Sequence, residues 1–130
     1  NQFFNSKLNL DLDSYDFKKV DENIMEFQLI TKNIKGTVVV KGKNDLILSG
    51  SKFRINSSGN AGMTVGGTGD ALAGIVVGLL SSGLNSFDSA CLAVFINGLA
   101  GDKAYEINGN GFSASDLVSY IGNVIKDGLC

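Results

Sequence analysis

Residues Asn56 to Gly83 read NSSGNAGMTVGGTGDALAGIVVGLLSSG, and the organisation of the chain follows from them. The left half is a loop crowded with Gly59, Gly62, Gly66 and Gly67; the right half is apolar and carries no charge after Asp70. Glycine reaches backbone conformations that a Cβ forbids and lets a ligand approach the main chain. The first turn of a helix leaves N–H groups without partners, at the positive end of the helix dipole. A glycine turn feeding such an end is an anion site, most often for phosphate. Gly67, Thr68 and Gly69 form the expected anion hole, and Asp70 follows at once. A carboxylate there repels a phosphate ligand, so two readings of Asp70 stand. One is an N-terminal helix cap. The other is a base or orienting group facing a reacting oxygen beside the bound phosphate.

Two common nucleotide motifs are excluded. Thr68-Gly69 follows Gly67 where a P-loop needs Lys-Ser or Lys-Thr. A dinucleotide fingerprint starting at Gly67 requires a small residue where Leu72 stands, and Gly109 to Ala114, which fits that pattern, follows a helical stretch rather than a strand. The run Asn60-Ala-Gly-Met-Thr-Val-Gly-Gly-Thr-Gly-Asp70-Ala-Leu-Ala-Gly instead resembles the signature of the ADP/ATP-dependent NAD(P)H-hydrate dehydratases. These belong to the ribokinase-like superfamily, whose wider mark is the GTGD core. The Asn-x-Gly-Met lead-in and the doubled glycine before Thr68 favour the dehydratase branch over the kinases. The resemblance runs from about Lys35 to the end of the chain.

A chain of 130 residues, 44% apolar and 18% charged with net charge −2, fits one globular domain spanning residues 1–130. The near-neutral balance gives no electrostatic reason to expect nucleic acid or anionic membrane as partners. The apolar run Ala71 to Leu80 falls short of the about 20 residues a membrane span needs. Histidine is absent, which removes histidine triads and histidine-ligated metals; Cys91 and Cys130 make no disulfide framework, and a reduced, cytoplasmic setting is expected. The resembled family is much longer, and the matched residues belong to its C-terminal half. With Asn1-Gln2-Phe3-Phe4 at the start and no initiator methionine, the expectation is the C-terminal portion of a ribokinase-like three-layer α/β/α sandwich.

Outward from the central stretch, Asp70 to Ser82 is apolar all round and is expected to be a buried helix, with Gly74 and Gly78 admitting a close neighbour. Thr37 to Val40 is expected to be a buried strand of a parallel α/β sheet. The loop Lys41-Gly42-Lys43-Asn44-Asp45 then lies beyond a strand's carboxyl end, where ligands bind. A solvated turn joining two strands is the equal alternative on spacing alone. Asp45 to Ser49 and Lys52 to Asn56 predict a hairpin around Gly50. Upstream, Ser14 is a candidate cap for a helix to about Asn33, with Val20, Ile24, Phe27 and Ile34 on its inner face. Downstream, Gly83 ends the central helix and Ser86 caps the next, to about Ile107. Asn97 on that helix reads as a satisfied core asparagine or a contact to a ligand. Ser113 or Ser115 caps a last helix whose Leu117, Ile121, Val124 and Ile125 point inward and which Gly128 stops.

The resemblance implies an activity: hydrated nicotinamide cofactors, NADHX and NADPHX, are returned to NADH and NADPH at the expense of ADP or ATP. It implies that Lys41 and Gly42, with Lys43, Asn44 and Asp45, hold the nucleotide phosphates, and that Mg2+ bridges them. Gly69 would lie closest to the nucleotide, Asn97 near its base, and Asp70, with Asn60, at the hydrate. Asn60 alternatively bridges loop backbone groups. The family is commonly oligomeric, so a homo-oligomer such as a tetramer is expected. The alternatives are a ribokinase-like kinase acting on a thiazole or pyridoxal-type alcohol, and an inactive nucleotide-binding fragment.

Overall fold

The computed structural model describes residues 20–129. The helices are α1 (Val20–Thr31), α2 (Thr68–Ser81), α3 (Ser86–Asn108) and α4 (Ala114–Leu129); the strands are β1 (Val38–Val40), β2 (Asp45–Ser49) and β3 (Lys52–Asn56). Single 3-10 turns sit at Ala61–Met63 and Gly109–Gly111.

The strands lie in the order β1-β2-β3 and every pairing is antiparallel, with Val39 opposite Ile47 and Leu46 opposite Ile55. The expected parallel sheet is therefore not found among the described strands. The physical reason is connection length. A parallel return needs a crossover of roughly a dozen residues or more, and only the short loops at 41–44 and 50–51 join these strands. The hairpin expected around Gly50 forms, with that glycine at φ +58°.

β2 is the centre of the sheet and is buried on both faces. Leu46 and Leu48 pack with Val38 and Val40 against Ile24 and Phe27 of α1. Ile47 and Val39 point the other way, onto Leu72 of α2 and Ala90, Ala93 and Val94 of α3. Successive strand side chains alternate between faces, so this one strand joins two helical layers across a sheet: a three-layer α/β/α arrangement. A third cluster joins α3 to α4 through Ile96, Ala100, Ala104, Leu117 and Val124, with Phe112 from the connecting turn.

Several local expectations are corrected. The Ser14 cap and the side chain of Val20 lie outside the described residues; α1 ends at Thr31, and Ile34 sits past it and is exposed. In α2 only Leu72 is fully buried, and Val77 and Leu80 are exposed at 61% and 43%. The 3.6-residue period puts Leu72, Ile75, Val76 and Leu79 toward the sheet. Ala73, Gly74, Val77 and Gly78 form the opposite, exposed face. A Cβ on Gly74 or Gly78 would meet nothing within 4 Å, so the expected close neighbour is absent among the described residues. Asn85, not Ser86, caps α3, its side chain accepting from the Asp88 N–H at 2.9 Å. Ser113 does cap α4: its hydroxyl accepts from Asp116 N–H at 3.2 Å, while the Asp116 carboxylate accepts from Ser113 N–H at 2.7 Å and from its hydroxyl at 2.8 Å. Ile125 is exposed, and Gly128 lies inside α4 rather than ending it. No helix among the described residues is long and apolar enough to cross a membrane.

Leu48 is fully buried where α1 meets the sheet. Leu48→Ala should cost about 2–5 kcal/mol through lost transfer energy and an unfilled cavity, read from the denaturant midpoint. The Ser113 donors hold the Asp116 carboxyl below the ordinary aspartate pKa. A depressed folded pKa contributes stability that is present above the unfolded value and lost as pH falls through the folded one. The difference in thermal midpoint between the natural protein and Asp116→Asn should therefore be largest near neutrality and shrink in acid.

Candidate functional site

β3 ends at Asn56, and its buried carboxamide shapes the next turn of the chain. The Asn56 Oδ1 accepts from the Ser58 hydroxyl at 2.8 Å, turning the chain into the glycine loop. That loop then lies directly on α3. A Cβ on Gly98 would collide with Ser58, and one on Gly101 would collide with Met63. These two glycines make a groove in the helix into which the loop fits. Met63 fills the groove, its sulfur also closing against the site a Gly59 side chain would occupy.

Side-chain hydrogen bonds hold the loop in place. Asn60 Oδ1 accepts from Gly62 N–H at 3.0 Å, and Asn60 Nδ2 donates to Asp102 at 2.9 Å. Asp102 also accepts from Gly59 N–H at 3.0 Å. Both polar atoms of Asn60 are thus engaged within the loop brace. The Thr68 hydroxyl donates to the carbonyls of Met63 and Val65, at 3.0 and 3.1 Å, and so fastens the loop to the start of α2.

At that start the backbone is arranged for an anion. Gly67 is the N-cap at φ +95°, a left-handed conformation that glycine adopts without strain, and its missing Cβ leaves room for Ala114. No side chain caps the helix, and the first amide bonded within it is that of Ala71, to the Gly67 carbonyl. The amides of the preceding turn therefore remain available. Asp70 is exposed in this turn and makes no side-chain hydrogen bond that would cap it, so the capping reading of Asp70 is not what the geometry displays.

These elements border an open cavity of about 680 Å³. One wall is the loop from Ser57 to Thr64, continued by Thr68 and Gly69. The lining continues through the β1–β2 connection, Lys41, Gly42, Lys43, Asn44 and Asp45, which is both a turn joining two strands and a cavity wall. Asp45 is buried and anchors that turn. It takes the Lys41 ammonium at 2.8 Å, the Gly42 N–H at 3.2 Å and the Asn56 amide at 3.5 Å. Lys41 keeps a half-exposed side chain, and two of its three N–H donors remain after the Asp45 contact. Asn97 and Gly98 complete the lining. Asn97 is only 2% exposed and its Oδ1 has no hydrogen-bond partner, so the satisfied core asparagine is not found. A buried amide oxygen without a partner is costly unless a ligand completes it. Gly67 and Asp70 lie beside the lining rather than in it.

Asp102, Gly98 and Gly101 carry this arrangement and were missed in the sequence, where they sit in an unremarkable Ala-Gly-rich helix. Burial pushes the Cys91 thiol pKa up, which keeps it protonated and poorly nucleophilic near neutrality. Among the described residues no group of three acidic, histidine or cysteine side chains could cage a metal. Asp45 and Asp102 are committed to internal donors, so neither offers a free carboxylate to a metal ion.

The model of the NAD(P)H-hydrate dehydratase family matches residues 11–123. The chain belongs to that family. It is 53% identical over 118 residues to the bifunctional NAD(P)H-hydrate repair enzyme Nnr of Methanothermobacter thermautotrophicus, covering 91% of this chain and 23% of the relative. It is 40% identical over 109 residues to the ADP-dependent (S)-NAD(P)H-hydrate dehydratase of Nitrosopumilus maritimus, covering 84% of this chain and 36% of the relative. The ADP/ATP-dependent NAD(P)H-hydrate dehydratase of Bacillus subtilis, co-crystallised with ATP and Mg2+ and soaked with CoA, superposes with a TM-score of 0.75 at 20% identity, over 97% of this chain and 46% of that one. A ribokinase-like superfamily protein of Enterococcus faecalis superposes with a TM-score of 0.73 at 26% identity, over 80% of this chain and 36% of that one. The fold is ribokinase-like. This dehydratase-family chain spans less than half the length of each of these relatives, from 23% to 46%.

The contact of the loop with α3 can be tested directly. Gly98→Ala would press a methyl into the Ser58 backbone, with the carbonyl carbon only 2.8 Å away. It should destabilise the protein by about 1–3 kcal/mol, as overpacking does, measured by denaturant unfolding.

Proposed function

We propose that the chain supplies the nucleotide and phosphoryl-transfer half of an ADP-dependent NAD(P)H-hydrate dehydratase. The observation that carries the reading is the uncapped N-terminus of α2, opened by Gly67 beside a cavity that Lys41 and Lys43 also line. Phosphoryl transfer needs little covalent help from the protein but much positioning and charge stabilisation. The amides from Gly67 to Asp70 hold the migrating phosphoryl group. Lys41, aimed by Asp45, and Lys43 meet the nucleotide phosphates as point charges, with Gly42 and Asn44 shaping the turn. Asn97 meets the nucleotide through its unpaired amide oxygen. Mg2+, when bound with the nucleotide, neutralises phosphate charge.

Asp70 orients the hydrate hydroxyl and takes its proton as the hydroxyl oxygen attacks the terminal phosphorus. The bond from that phosphorus to the bridging oxygen breaks, and AMP leaves when ADP is the donor. The C–O bond of the phosphorylated hydrate then breaks with loss of a proton, giving phosphate and the restored nicotinamide cofactor. The overall change is NAD(P)HX plus ADP to NAD(P)H, AMP and phosphate. Asn60, whose side chain is committed to the loop, is assigned to bracing rather than to the hydrate. We place the reaction in the cytoplasm and read residues 1–130 as one partial domain. The exposed apolar face of α2 supports self-association, which light scattering on the natural polypeptide would detect.

The test is nicotinamide absorbance after NADHX is mixed with ADP or with ATP, using the natural polypeptide. NADH formation supports the dehydratase reading; accumulation of a stable phosphoester indicates a kinase instead. Asp70→Asn should lower kcat by about 100-fold or more while ADP binding stays close to that of the natural protein. Parallel losses in binding and turnover would remove Asp70 from the base role. Lys41→Ala should raise the KM for ADP about tenfold, an effect that weakens as salt is added.

A further inference from the structure

Asp102 touches nothing in the cavity, yet the cavity's loop wall hangs from it. Its two carboxylate oxygens receive separate donors from residues more than forty positions earlier. Oδ2 accepts from Gly59 N–H at 3.0 Å, and Oδ1 accepts from Asn60 Nδ2 at 2.9 Å. Asn60 passes the constraint on, its Oδ1 accepting from Gly62 N–H at 3.0 Å. One carboxylate on a rigid helix thus orders three successive stations of the loop, Gly59, Asn60 and Gly62. Two of the four residues from 59 to 62 are glycines, which lose more backbone freedom on ordering than other residues. Gly59 is itself held at φ +103°.

The chemistry at residue 102 is specific. Both partners are donors, so the side chain must offer two acceptors and no donor. Aspartate does so, and its charge makes both bonds stronger than neutral ones. Asparagine has the same shape but turns an NH2 toward one of the two donors. Asp102 lies one turn beyond Gly98 and next to Gly101, so the side-chain bonds and the groove act on the same helical face.

We propose that Asp102 is a positioning residue for the nucleotide: it fixes the 59–62 loop in its binding shape before the ligand arrives, with no contact to the ligand itself. The proposal rests on the nucleotide reading of the cavity. Pre-ordering a loop lowers the entropy lost on binding, so the effect belongs in nucleotide affinity and not in the chemical step.

Asp102→Asn should speed hydrogen exchange at the Gly59 amide by about tenfold to a hundredfold, since an acceptor is replaced by a donor or weakened. It should raise the KM for ADP about tenfold while kcat changes by less than about threefold. Asn60→Asp alone should do the same by bringing two carboxylates together. The double exchange, Asn60→Asp with Asp102→Asn, keeps all three hydrogen bonds at unchanged net charge, with the bond between the two side chains reversed. It should recover both the amide protection and the KM. Recovery in the double variant is the expected result, and a merely additive loss overturns the proposal. Faster exchange with an unchanged KM overturns the ligand half of it, and unchanged exchange overturns the brace. If the natural protein binds ADP without forming NADH, the dehydratase reading falls while the dissociation constant for ADP takes the place of KM in judging Asp102.

Discussion

The close approach of the glycine loop to α3 is the constraint on which the site depends. A loop without regular hydrogen bonding has no fixed shape of its own, and this one borrows its shape from a helix. Two α-carbons of that helix, Gly98 and Gly101, lack the methyl groups that would hold the loop away. Met63 fills the resulting groove, and Asp102 anchors the backbone on the same face. The start of α2 is then fixed in turn, because the Thr68 hydroxyl is bonded to the Met63 and Val65 carbonyls. Unpaired amides at a helix start act together only when they point at one place, and the loop's contact with α3 supplies that direction.

The sheet contributes the other half of the site. β2 is buried on both faces and therefore cannot shift in register without exposing Leu46, Leu48 and Ile47 to the wrong layer. Its first residue, Asp45, is held with it, and Asp45 in turn holds Lys41 and the Gly42 amide. Positive charge at the 41–43 turn is thereby brought to the same cavity as the positive end of α2, so both contribute one sign of charge to it. Asp45 is buried where its carboxylate is matched by donors, so it organises the turn and leaves the lysines to face the cavity.

Much of this was legible in the order of residues. The glycine-to-helix junction at Gly67, the hairpin about Gly50 and a serine cap at Ser113 or Ser115 are local patterns, and each depends on neighbours within a few positions. The three helices after Asn56 were legible for the same reason. What failed was whatever depended on distant neighbours. A run such as Val38–Val40 looks alike in a parallel sheet and in a buried antiparallel one, since both bury both faces. The apolar circumference of α2 does not tell which face meets the sheet, and its Val77 side is left exposed. Ile34 fell in helical phase with Phe27 although the helix had already ended at Thr31.

The sequence by itself determined the family and the glycine-to-helix junction, and offered the candidates Lys41, Asp70 and Asn97, because motif spacing and backbone propensity are properties of the chain read in order. Only the tertiary structure decided that Asp102 braces the loop, that Gly98 and Gly101 are the groove beneath it, and that Asp45 aims Lys41. Those roles arise from contacts across tens of residues, or from the burial that makes a hydrogen bond worth keeping. Asn97 shows the division most clearly. Its identity was plain, but whether its amide oxygen would be satisfied depended on what packed around α3. The fold left that oxygen unpaired at the wall of the cavity.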